Sequence, residues 1–316
     1  MCSARSNITD NEFRWNHGHT DFAVAFPPAI RKVLEVDKPQ LSLHLKGFYN
    51  QKPGDAKARM SPDFSAVPRS NLVSFSTDCG YWTHHLSMLQ QVLVASKQLS
   101  TLSVMAGGKY YPRHPSTITQ FTVQDGLLPP IKSLTIAGAW KYTKEDIPQI
   151  WDFSKLESLH IRDRCVHGFL MSVPGNLVAG IRTLRIDDVI GAISVPRHVA
   201  PAPLAVMKDF LGNINGLVDV HFVSPLPKNL IPMLAGHAST LKYLKLVDTN
   251  TRRPTINYDD LLELQAALPN LCELQLDLYF LPKGDSDEAG PGQHVDNKYG
   301  WYIRVNKSFP LSLIHR

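Results

Sequence analysis

The dominant pattern along the chain is a six-residue phrase, apolar-x-x-apolar-x-apolar, that returns seven times. It reads Leu99-Ser-Thr-Leu102-Ser-Val104, Ile131-Lys-Ser-Leu134-Thr-Ile136, Leu156-Glu-Ser-Leu159-His-Ile161 and Ile181-Arg-Thr-Leu184-Arg-Ile186. It continues as Leu217-Val-Asp-Val220-His-Phe222, Leu241-Lys-Tyr-Leu244-Lys-Leu246 and Leu271-Cys-Glu-Leu274-Gln-Leu276. Successive copies begin 32, 25, 25, 36, 24 and 30 residues apart. Three of these steps fall in the roughly 20–29 residues of a short strand-and-helix repeat, and the longer ones leave room for insertions. Alternation within each phrase, as in Leu159-His160-Ile161, puts alternate side chains on opposite faces of a strand. Strands are therefore expected near 100–104, 132–136, 157–161, 182–186, 218–222, 242–246 and 272–276. Leu41-Ser-Leu43-His-Leu45 and Asn71-Leu-Val-Ser-Phe75-Ser are weaker copies, the second ambiguous in register.

Helical spacing precedes most phrases. Trp82, Leu86, Leu89 and Leu93 make one apolar stripe, with Asp78 or Thr83 as the expected cap. Leu204, Met207 and Leu211 make another after Pro203, as do Leu261, Leu264 and Leu268 after Asn257 and the acidic pair Asp259-Asp260. Pro232 restricts the segment 227–237 to a short helix beginning near that residue.

One helix and one strand cannot bury both apolar faces alone, whereas stacked copies share a continuous core. The expected fold is α/β: a solenoid with a curved parallel sheet on its concave side and helices on its convex side. Residues 22–316 form one repeat domain with a loop insertion near 283–297, preceded by a polar segment, 1–21. The positions between the inward residues make up the concave face: Thr101, Ser103, Ser133, Thr135 and Ser158, then His160 and Arg162, Thr183, Arg185 and Asp187. Asp219, His221, Tyr243, Lys245, Glu273, Gln275 and Asp277 follow. The first rungs are small and neutral, the middle is cationic and the last acidic. The candidate partner-binding residues are His160, Arg162, Arg185, Asp187, Asp219, His221, Tyr243 and Lys245. On the expected register His160, Arg162 and Arg185 stand on adjacent strands. Asp187, Asp219 and His221 are positioned either to satisfy that cluster internally or to leave it for an acidic segment of a partner.

The apolar entry Phe26-Pro-Pro-Ala-Ile30-Arg-Lys-Val-Leu34, leading to Pro39-Gln-Leu41-Ser-Leu43-His-Leu45, together with the recurring phrase, resembles the leucine-rich-repeat region of fungal F-box proteins over roughly residues 22–280. The resemblance implies a repeat solenoid that holds a protein destined for ubiquitination, with an N-terminal F-box docking on the adaptor of a cullin ubiquitin ligase. Here about twenty-five polar-rich residues precede Pro27, too few for a three-helix F-box, and they lack its Leu-Pro start. Direct binding to the adaptor is therefore not expected.

Composition narrows the class. With 33 Lys plus Arg against 28 Asp plus Glu, the net charge of +5 is spread over 316 residues and gives no nucleic-acid signature. The opening MCSARSNITDNEF carries no apolar run of the secretory type, and no stretch of about 18 apolar residues occurs, so an intracellular, cytoplasmic or nuclear chain without a membrane anchor is expected. Cys2, Cys79, Cys165 and Cys272 are too scattered for a disulfide framework.

Candidate chemistry is sparse. His17-Gly-His19 and His84-His85 lack ligands at the spacing of a structural zinc site. Cys165 and His167 form the minimal thiol–imidazole pair, but a spacing of two in a loop does not aim one at the other. No Gly-x-Ser-x-Gly elbow, phosphate-binding loop or His-Glu-x-x-His helix is present. The aromatic-basic run Gly107 to Arg113 reads as an insertion over the rim, the loop Thr249 to Pro254 with Arg252 and Arg253 as a solvated edge, and the acidic stretch Gly284 to Gly292 as a tether before a last strand, Trp301 to Val305. The function expected is that of a non-enzymatic protein-binding scaffold with no cofactor. Its alternatives are a plain interaction module or remnant unconnected to ubiquitin ligases, and an enzyme with a site assembled from separate repeats.

Overall fold

The computed structural model describes residues 5–9, 12–16, 28–37, 41–49, 67–78, 86–105, 121–138, 140–162, 165–187, 203–224, 230–248, 258–279 and 300–306. The chain is α/β and folds into two compact units, Met1–Val178 and Ala179–Arg316.

In the first unit, β1 (Arg5–Thr9) and β2 (Glu12–Asn16) form an antiparallel pair. From β2 onward every pairing is parallel and follows chain order through β3 (Ser42–Tyr49), β4 (Leu72–Asp78), β5 (Thr101–Met105), β6 (Ser133–Ala137) and β7 (Ser158–Arg162). Helices α1 (Pro28–Lys32), α2 (Leu86–Ala95), α3 (Ile147–Ile150) and α4 (Cys165–Ser172) lie in the connections. In the second unit, β8 (Thr183–Asp187), β9 (Asp219–Ser224), β10 (Tyr243–Asp248) and β11 (Glu273–Tyr279) pair in parallel, and β12 (Gly300–Asn306) closes antiparallel on β11. Its helices are α5 (Pro203–Gly212), α6 (Leu230–Ala235) and α7 (Tyr258–Ala267).

Each of the seven phrases supplies one strand, starting a residue later than alternation alone predicts. A repeating turn is the reason. The carbonyl of the second phrase residue accepts two N–H groups from the next copy: Ser100 O takes those of Lys132 and Ser133 at 2.8 and 2.9 Å, and Arg182 O takes those of Val218 and Asp219 at 2.8 and 3.1 Å. Val218 O and Lys242 O repeat the arrangement with the copies that follow them. The first apolar residue of each phrase thus belongs to the turn, and the second and third are the inward strand residues. Leu102, Leu134 and Leu159 meet in one buried row, and Val104, Ile136 and Ile161 in the next. The second unit repeats this with Leu184, Val220, Leu244 and Leu274, then Ile186, Phe222, Leu246 and Leu276. Rows so deeply buried need an apolar cover, and the buried stripes of the helices provide it.

The helices follow the predicted stripes with some corrections. Leu86, Leu89 and Leu93 are buried on α2. Asp78 is the last residue of β4 rather than a cap, and Trp82 and Thr83 lie outside the described residues. Helix α6 begins at Leu230, so Pro232 occupies its first turn, where a missing N–H costs nothing. Between β5 and β6 the described residues contain only a 3-10 turn, Val123–Asp125, because Gly126 at φ 97 and then Pro129-Pro130 halt any continuation. Aromatic bulk fills the layer there instead: Phe121, Trp140, Tyr142, Trp151, Phe153 and Phe169 are all buried, with neighbouring ring centroids 4.5–6.2 Å apart. Trp140 Nε1 donates to Ser172 Oγ at 2.6 Å, and the Phe121 N–H to Tyr142 Oη at 2.6 Å. The ambiguous register at residues 71–76 also has its cause: Leu43 pairs with Leu72 but His44 with Ser74, and that shift lets Leu72 and Phe75, three apart, both point inward.

Candidate partner-binding faces

Because the strands run in register, the residues opposite the buried rows also line up. In the first unit, Ser74, Thr101, Ser133 and Ser158 form one row, and Ser76, Ser103, Thr135 and His160 the next. These side chains are partly exposed, and apart from His160 they are small and uncharged. Met105, Ala137 and Arg162 follow in a third row. Ala137 is small enough for the Arg162 side chain to cross it, and a guanidinium nitrogen comes 3.4 Å from Met105 Sδ. At the other edge His44 Nε2 lies 3.9 Å from a Glu12 carboxylate oxygen. His44, Ser74 and Ser76 were not among the sequence candidates, although alternation in Leu41-Ser-Leu43-His-Leu45 already places His44 opposite the inward leucines.

In the second unit the rows carry alternating charge. Thr183, Asp219, Tyr243 and Glu273 form the first, Arg185, His221, Lys245 and Gln275 the second, and Asp187, Val223, Val247 and Asp277 the third. Two acid–base contacts run along single strands, between residues two apart that share a face. Arg185 donates from Nε and a terminal nitrogen to the two oxygens of Asp187, both at 3.0 Å. Asp187 is 8% exposed while Arg185 remains 46% exposed, so the carboxylate is sunk and the guanidinium lies over it. Asp219 Oδ1 lies 3.1 Å from His221 Nε2. Among the described residues Lys245 forms no ion pair, and Tyr243 is 45% exposed.

Of the eight sequence candidates, His160 and Arg162 stand on the face of the first unit. Arg185, Asp187, Asp219, His221, Tyr243 and Lys245 are gathered on that of the second, with Arg185 beside His221 and His221 beside Lys245. Arg185 is thus a member of a bidentate pair and not an uncompensated cation.

The thiol–imidazole pair takes a different form from the loop expected. Cys165 opens helix α4 and is fully buried, while His167 lies two positions on, where helical geometry turns the two side chains apart. Among the described residues no group of three His, Cys, Asp or Glu side chains is placed to hold a metal, and no helix is long and apolar enough to cross a membrane. His17, His19, His84 and His85, the run Gly107 to Arg113, the loop Thr249 to Pro254 and the acidic stretch Gly284 to Gly292 lie outside the described residues. No protein-family model matches the chain, and no curated protein matches it significantly.

Proposed function

We propose that this protein is a non-enzymatic protein-binding scaffold, a leucine-rich-repeat solenoid whose exposed strand faces hold a partner protein. One observation carries the reading: parallel strands in strict register leave rows of partly exposed polar side chains opposite a fully buried apolar face. Of the two faces, that of the second unit carries an exposed tyrosine and charged groups of both signs, the mixture of aromatic anchor and oriented polar contacts that protein interfaces use. The likeness of the repeat phrase to the fungal F-box receptors supports a role in substrate recognition.

The test starts from a partner captured on the immobilised full chain, identified and purified, then titrated against variants. Thr135→Arg in the first unit and Lys245→Glu in the second are expected to weaken binding about tenfold or more, the effect of a misplaced charge in an interface. Met88→Ser on helix α2 is expected to leave it unchanged. Loss of binding in the helix variant with none in the strand-face variants would overturn the reading.

A further inference from the structure

We propose that Tyr243, Asp219 and Glu273 form a cradle for a lysine or arginine side chain of the partner protein. This rests on the docking role above and names the chemistry of the contact. Tyr243 is at the centre of the first row of the second unit, with Asp219 directly opposite on β9 and Glu273 directly opposite on β11. Neighbouring strands are about 4.8 Å apart, so a carboxylate-bearing residue stands on each side of the ring at nearly the same distance. The ring is 45% exposed in a row whose other members are all hydrophilic, so burial of apolar surface does not explain why a large aromatic stands there. An aromatic face with flanking carboxylates attracts a cation: the ring quadrupole acts within about 6 Å, and the carboxylates add charge and hydrogen-bond acceptors. His221 Nε2 stands 3.1 Å from Asp219 Oδ1, without the geometry of a hydrogen bond.

The next row gives the contact a polarity. Lys245 lies two residues beyond Tyr243 on the same strand, about 7 Å along it. Arg185 in that row is held by Asp187, and Lys245 forms no ion pair among the described residues. A partner with a basic group over Tyr243 and an acidic group over Lys245 fits both rows, and the inverse placement meets like charge at both.

The test uses degenerate peptides on beads, with Arg, Lys, Glu or Ala fixed at the central position and the full chain as probe. Arg- and Lys-centred peptides are expected to be retained about tenfold better than Glu- or Ala-centred ones, in keeping with one cation–π contact plus charge pairing. Tyr243→Ala and the double variant Asp219→Asn with Glu273→Gln should each abolish that preference, whereas Tyr243→Phe keeps the ring and should keep it. Absence of a preference for basic peptides, or a preference that survives both Tyr243→Ala and the double carboxamide variant, would overturn the cradle. If the purified partner binds wild type and Tyr243→Ala equally while Lys245→Glu weakens it, the docking role stands and the cradle alone falls.

Discussion

Leu159 and Leu184 occupy the second apolar position of their phrases and are completely buried. Truncation of either to alanine removes a side chain packed on all sides, and each is expected to cost about 2–5 kcal/mol in denaturant titration. A loss below about 0.5 kcal/mol, as for a surface site, would contradict the burial. Gly168 is a sharper case. Helix propensity alone favours alanine over glycine by about 1 kcal/mol in the interior of α4. Yet a β-carbon there would come 2.5 Å from the backbone oxygen of Trp140, which cannot swing away as a side-chain tip does. The clash outweighs the propensity, and Gly168→Ala is expected to destabilise the first unit by about 1–3 kcal/mol. The buried Trp140 and Trp151 report on it directly, and an alanine variant with unchanged or raised stability by tryptophan fluorescence would show that the α4–Trp140 contact yields. At the same scale burial pushes the Tyr142 phenol up, so it stays protonated and able to keep its place among the rings.

The strands were the most legible elements, because the same phrase recurs with the same alternation, and the buried residues are the apolar ones it names. What it concealed was where each strand starts, since the paired hydrogen bonds to Ser100, Arg182 and their equivalents are made by backbone groups that leave no trace in composition. The layer around Trp140 and Trp151 was hidden for another reason: aromatics spaced irregularly along 140–153 share no helical period, and only tertiary packing brings them together. Of the candidate faces, the rungs were legible, but the alternation of acid and base between rows depends on register across strands far apart in sequence. His237 shows a further polar link that period alone cannot reveal. It is buried at the turn after α6, its backbone carbonyl accepts the N–H groups of Thr240 and Leu241 at 3.0 and 2.9 Å, and its side chain bonds the backbone of Leu211 in α5. Burial lowers its pKa, and the bond to Leu211 opposes that only in part. The folded state therefore binds the proton less readily than the unfolded chain does, and stability falls as pH drops below the ordinary histidine value of about 6.5. The melting temperature of the chain should decline between pH 7 and pH 5, and His237→Gln should flatten that decline. An equal decline in the variant would assign it to other groups.

At the scale of the whole molecule, each unit presents the same arrangement in different chemistry: hydroxyl-rich rows in the first, and rows of alternating charge around an exposed tyrosine in the second. The hydroxyls of the first face are small groups that both donate and accept hydrogen bonds. The fixed charges of the second impose order on whatever docks there. On the proposed function, recognition falls to the strand faces and support to the helices. Tyr243 on β10 and Met88 on α2, at 45% and 43% exposure, are matched reporters of those two assignments. Hydroxyl-radical footprinting of the full chain, with and without its purified partner, compares them in one experiment. The partner is expected to shield Tyr243 and Met105 from oxidation while Met88 reacts as it does in the free protein. Shielding of Met88 with Tyr243 and Met105 left reactive would contradict it.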